Sequence, residues 1–385
     1  MRRVALMLLP WLLAACASVE VREEPRPLLS DATFAAPSRP IDGDRIFDLS
    51  PAMRAYVEGD LAKRIKERGI QKGLVEALSE RGQLRLAYDS GGTRDAADTF
   101  EGRSGNCLSL VIMTAAFAKA IGLTVRYQSV EIDETWSRNG GIYFNIGHVN
   151  VTLGRSLTSL RFGQLETIRD TTIDFLPPGD LRGQRSQDIP ERRIVAMYLN
   201  NRAGESLAAG EVNDAYWWVR AAVLQDPGFL APYNTLGVVY RRHGDLALAE
   251  RALRTVLKHQ PENRLALSNL AIVLSDLGRR DEAQALEVKL ARLDPTPPFY
   301  WFERGLAALR AHDNARARDF FQKEVDRAGD YHEFHFWLAV ALANLGQIED
   351  ARRQLKLAIE TSTARSDLDL YSAKLSKLQG ATQTH

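Results

Sequence analysis

Alanine recurs every 34 residues through the C-terminal half of this 385-residue chain, at Ala215, Ala249, Ala283, Ala317 and Ala351, and Pro227, Pro261 and Pro295 keep the same interval. Gly244, Gly278, His312 and Gly346 stand in register, where a turn between two helices has to fall. A period of this length held over five units leaves few folds open. Each unit is too short to bury its own apolar face, so neighbours must stack into an open all-α array. The units begin near Ala196, Leu230, Arg264, Pro298 and His332. Leu368 to Leu378 reads as the polar-faced terminal helix that an open array requires.

Tyr233-Asn234-Thr235-Leu236-Gly237-Val238-Val239-Tyr240 resembles the first helix of a tetratricopeptide repeat. The resemblance covers residues 196–365 as a five-repeat solenoid, with a capping helix and tail at 366–385. It implies a groove that recruits a protein substrate or another protein partner. Tyr216, Trp217, Trp218, Tyr300, Trp301 and Trp337 either line that groove or pack between helices.

Upstream, Gly102-Arg103-Ser104-Gly105-Asn106-Cys107 leads into Leu108 to Ala120, a stretch apolar nearly all round and closed by Gly122. Ser104 is the expected N-cap, and a helix without a polar face belongs inside a domain. Cys107 then sits in the first turn of a buried helix, where free N–H groups and the positive dipole end favour a thiolate. It is a nucleophile there, or a small buried hydrophobe.

The only other cysteine is Cys16. Arg2 and Arg3 precede an apolar run of ten residues, Val4 to Leu13, which is too short to span a bilayer. Leu13-Ala14-Ala15-Cys16 follows and resembles the lipobox of bacterial lipoproteins. The resemblance implies a signal peptide at 1–15, a lipid on Cys16, and membrane anchoring in the cell envelope. Ala17 in place of aspartate points to the periplasmic face of the outer membrane. With Cys16 acylated, Cys107 is a lone thiol in an oxidising compartment, which favours its being used. Residues 16–45 carry recurrent prolines and no period, and are expected to form an extended tether.

The cysteine-bearing domain is expected over 46–190, folding without the repeats. After Gly122 the period falls to two. Val125, Tyr127 and Ser129 share one face of a strand; a polar turn over 133–141 leads to a second strand, Ile142 to Leu153, with His148, Asn150 and Thr152 on one face. A third strand follows over 171–176, carrying Asp174 between Ile173 and Phe175. Buried-helix cysteine, strand histidine and strand aspartate follow the order of a nucleophile, a base and the acid that orients it.

Residues 84–178 resemble the transglutaminase-like superfamily, a branch of the papain-like fold, through Gly105-Asn106-Cys107 before a helix ending in Gly122-Leu123-Thr124-Val125-Arg126-Tyr127 and through Gly147-His148-Val149-Asn150-Val151 on a strand. The resemblance implies an α+β papain-like domain and a triad of Cys107, His148 and Asp174. Asp170 shares the parity of Asp174 and is the alternative acid. Gln128 is either an oxyanion donor in the same cleft or an exposed strand residue. The expected activity is thiol-dependent chemistry on amide bonds of proteins or peptides, hydrolysis ahead of transamidation. The rival is a binding scaffold in which this domain is silent.

Fifty basic and 49 acidic side chains give a net charge of +1, with no Lys/Arg run to suggest nucleic acid. The seven histidines and two cysteines show no metal-ligand spacing. No acidic loop supports calcium, which some animal transglutaminases use, and no cofactor is expected.

Overall fold

The computed structural model describes residues 24–78, 84, 86–130, 136–139, 142–145, 147–156, 170–175 and 185–380. The lipobox and Cys16 lie outside the described residues. Among those described, no helix is long and apolar enough to cross a membrane.

Ser50 caps the first helix by accepting the Met53 N–H at 3.2 Å, and Pro51 sits where a missing N–H is harmless. α1 (Pro51–Tyr56) passes through a π turn at Val57–Leu61 into α2 (Ala62–Arg68), against which α3 (Ile70–Leu78) packs. β1 (Ala87–Tyr88) pairs in parallel with β2 (Ser104–Gly105), and α4 (Ala96–Gly102) lies between them in sequence. In α5 (Cys107–Ala120) every residue from Cys107 to Ala118 is buried. Gly122 then turns the chain with φ 81°, a conformation that costs glycine little.

The strands are β3 (Leu123–Val130), β4 (Trp136–Asn139), β5 (Ile142–Asn145), β6 (His148–Ser156), β7 (Thr171–Ile173) and β8 (Ser186–Ile189). One antiparallel sheet has the order β7-β6-β3-β8, and β4 pairs with β5 as a separate hairpin. The expected turn over 133–141 therefore contains a strand, and the expected single strand over 142–153 is two, β5 and β6. Val149, Val151 and Leu153 join the α5 core, while His148, Asn150 and Thr152 on the opposite face are buried as well. Burial of both faces makes β6 a central strand.

Residues 191–380 form an all-α array of stacked helix pairs. Its helix pairs are α6 (Glu191–Ala208) with α7 (Val212–Gln225), α8 (Ala231–His243) with α9 (Leu246–His259), and α10 (Arg264–Asp276) with α11 (Arg280–Leu293). α12 (Tyr300–Arg310) with α13 (Asn314–Arg327) and α14 (His332–Asn344) with α15 (Ile348–Thr361) complete the pairs, and α16 (Arg365–Gly380) follows. The periodic alanines are the contact residues, each no more than 4 % exposed. Gly237 lets α8 and α9 touch, since a Cβ there would meet Leu253 Cγ at 2.6 Å. His312 holds φ 59° at the turn position that glycine fills in the other repeats. Trp218 packs on Tyr198 of α6 and Trp301 stacks on Phe320, so these rings lie between helices, while Tyr216 is buried under the N-terminal segment.

Two sequence expectations need correction. The segment expected as a tether, of which 16–23 lie outside the described residues, is docked from Pro27 onward along the first two repeats. Phe34 stacks on Tyr216 with ring centroids 3.9 Å apart and sits 4.2 Å from His243. Tyr240 donates to the Leu28 carbonyl at 2.6 Å, and Asp31 accepts from both Tyr216 and Arg220 at 2.7 Å. Burial of Leu28 and Phe34 supplies the driving force that a proline-rich tether would lack.

The second concerns the boundary near 190. One continuous hydrophobic core runs from Leu28 through α5 and the sheet to Ala283 in α11, and a second holds Phe299 to Tyr371. Ile194, Val195, Tyr198 and Leu199 of α6 belong to the first core. Glu191 accepts from Tyr127 at 2.6 Å and pairs with Lys119 of α5. The cysteine-bearing region and the first repeats are one packed unit.

Candidate functional site

The cap of α5 is Asn106, not Ser104: its Oδ1 accepts from the Ser109 N–H and from Ser109 Oγ, each at 2.9 Å. Cys107 is therefore the first residue of the helix, and its own N–H has no intrahelical partner. Burial raises the Tyr88 pKa, the neighbouring Cys107 charge adds to the rise, and the nearby Cys107 backbone opposes it. Cys107 is 5 % exposed.

Strand register decides which aspartate meets His148. Val151 faces Ile173 and Thr152 faces Thr172, so continuing the antiparallel ladder sets Asp174 beside Asn150 and diagonal to His148. His148 Nε2 and Asp174 Oδ1 are 2.8 Å apart, and Asn150 Nδ2 donates to Asp174 Oδ2 at 3.4 Å. Thr152 and Thr172 share a hydroxyl hydrogen bond of 2.8 Å in the next layer. The same register sets Asp170 at the far end of the ladder, where it is half exposed and paired with Arg126. Gln128 donates to Asp188 of β8 at 2.9 Å, so its amide is committed away from Cys107.

His148 is 2 % exposed. Burial disfavours its protonation, yet hydrogen bonds with Asp174 and Cys107 and the charges on both overrule that, raising its pKa from 6.5 to about 9. With Nε2 on Asp174, Nδ1 is the nitrogen left for the sulfur. A histidine so raised stabilises the fold fully below pH 6.5, and that contribution disappears as pH rises through about 9. Thermal melts of the native protein are expected to lose stability between those values, by a few kcal/mol. His148→Gln should flatten that part of the profile; parallel profiles would show that His148 is not protonated in the fold.

The sequence left several contributors unseen. Thr93 is buried and accepts from Asn106 Nδ2 at 3.0 Å, which fixes the cap from behind. Asn150 carries a buried Oδ1 with no hydrogen-bond partner among the described residues. Tyr88 lies nineteen positions before Cys107, in a two-residue strand too short to have a pattern. Among the described residues, no group of three or more His, Cys, Asp or Glu could hold a metal ion.

Comparison with known proteins reaches the repeats. The tetratricopeptide repeat family matches residues 234–298, 269–332 and 302–366, and these residues are tetratricopeptide repeats. A TPR repeat-containing protein, PA4667 of Pseudomonas aeruginosa, is 27 % identical over 143 residues. That match takes in 37 % of this chain and 24 % of the relative, so the chain spans about a quarter of that protein's length. Among solved structures, the thermophilic TPR protein TTC0263 of Thermus thermophilus is 17 % identical with a TM-score of 0.32, covering 47 % of this chain and 98 % of that one. Pseudomonas aeruginosa pilF is 21 % identical with a TM-score of 0.31, covering 50 % of this chain and 87 % of that one. The assignment of the repeats rests on the family match and the stacked helix pairs.

Proposed function

We propose that the repeats hold a protein or peptide partner and that Cys107 acts on an amide bond of what they hold, from a transglutaminase-like, papain-like domain. The observation that carries the reading is the contact of His148 with Asp174 beside Cys107 at a helix start. The Cys107 sulfur attacks the amide carbonyl carbon, and the imidazolium proton of His148 passes to the departing amine, leaving a thioester. A water, giving its proton to the imidazole, then attacks the thioester carbonyl; the acid leaves and the thiol regains the proton. An amine in place of water would yield transamidation. Asp174 keeps the ring oriented throughout. Lipid attachment at Cys16 would place this chemistry at the periplasmic face of the outer membrane.

A second reading has its own support. The family match falls within the repeats, and Cys107 and His148 are both deeply buried, as befits a binding scaffold with a silent domain. Envelope proteins of cells producing the native chain or Cys107→Ala separate the two. The enzymatic reading expects at least one protein or peptide species to change size between the strains. Identical profiles, with a partner still captured by both chains, would favour the scaffold.

A further inference from the structure

The hydrogen bonds that hold Asn106 do not end within the cysteine-bearing region. The Thr93 N–H donates to Glu205 Oε1 at 2.7 Å, and Asn201 Nδ2 donates to Thr93 Oγ1 at 3.2 Å. Glu205 and Asn201 both lie on α6, the first helix of the first repeat. Thr93 in turn accepts from Asn106, whose Oδ1 holds the first turn of α5. Arg94 closes the ring by donating its N–H to Ser109 Oγ at 2.9 Å. The far end of the solenoid reaches the same loop, where Thr363 and Ser90 share a hydroxyl hydrogen bond of 2.9 Å.

We infer that Glu205 is a positioning residue for Cys107, acting from the solenoid through Thr93 and Asn106. The inference rests on the thiol reading above. Glu205 touches no reacting atom. Its Oε2 accepts from Arg202 at 2.7 Å while its Oε1 accepts the buried Thr93 N–H, and the second bond fixes the loop from which the α5 cap is held. If Thr93 drifts, Asn106 loses its rear support and the sulfur loses its alignment with His148. Repeats built to hold a partner are thereby part of the frame that sets the nucleophile, and strain applied to α6 is felt at Cys107. Burial raises the Glu205 carboxyl pKa, against the pull of Arg202 and the Thr93 hydrogen bonds.

The test measures alkylation of Cys107 by iodoacetamide from pH 5 to 9 in the full chain, with four proteins: native, Glu205→Gln, Glu205→Ala and His148→Ala. Glu205→Gln keeps an oxygen for the Thr93 N–H and should stay within about twofold of native. Glu205→Ala should slow alkylation about tenfold, as loss of an outer support commonly does, and move the pH profile in the direction His148→Ala moves it. Melting temperatures of all four proteins, taken alongside, distinguish alignment from unfolding, and the glutamine variant keeps the shape of the side chain and its acceptor oxygen. Equal rates for Glu205→Ala and native, with His148→Ala slow, overturn this inference and leave the thiol reading standing. Equal slowing by Gln and Ala also overturns it, since the charge and not the accepted hydrogen bond would then matter. Native and His148→Ala reacting alike would instead remove the thiol reading itself.

Discussion

A fragment ending at Pro190 is expected to be insoluble or to lack fixed tertiary structure, although the cysteine, the histidine and both aspartates all lie within it. Cutting there removes Ile194, Val195, Tyr198 and Leu199 from the core they share with α5 and the sheet. At about 1.5–3 kcal/mol for each large buried side chain, the loss is roughly 6–12 kcal/mol, comparable with the whole stability of an ordinary domain. Glu191 leaves as well, and with it the partner of Tyr127 and Lys119. A fragment ending near Leu293 keeps the first core complete, since that core ends at Ala283. Near-ultraviolet circular dichroism and a cooperative melt should be absent in the shorter fragment and present in the longer. A cooperative melt of the Pro190 fragment would restore the independent domain that the sequence suggests.

Asp174→Asn is expected to lower turnover by roughly 10²–10⁴ and to slow alkylation of Cys107 in the same direction as His148→Ala, while leaving the fold intact. The amide can still sit beside His148 Nε2, but it no longer enforces one tautomer or stabilises the imidazolium. Asp170→Asn should change the rate little, because Asp170 is tied to Arg126 at the other end of the strand ladder. Rates of both variants with one small thiol reagent suffice. The reverse ranking would mean that the register seen between β6 and β7 is not the one that functions.

How much of this could be read from the chain alone follows physical range. The repeats announce themselves because each repeat helix packs chiefly on neighbours of the same pattern, so Ala215 and its four counterparts carry their own explanation. Cys107, His148 and Asp174 were legible as a set through helix and strand periodicity. The sequence ranks Asp174 ahead of Asp170 through its place between Ile173 and Phe175, whereas its position diagonal to His148 depends on register, which one strand cannot state by itself. The docked arm was invisible because the Ser30 N–H finds the Tyr216 hydroxyl 186 residues away. Nothing local marks Pro25 to Pro40 as anything but a linker. Asn106, and not Ser104, caps α5 because Thr93 and Ser109 converge on its amide. Glu205 sits on a repeat helix as an ordinary charged residue; only the fold brings it to Thr93.

The central claim is that His148 and Asp174 make Cys107 a reactive thiol. Its most direct measure is the second-order rate of iodoacetamide with Cys107 at pH 6.5, in native protein and in His148→Ala. The account predicts that native protein reacts at least about tenfold faster, the low end of what a positioned proton-transfer partner contributes. Equal rates in the two proteins would contradict it and leave Cys107 as a small buried side chain in a partner-binding scaffold.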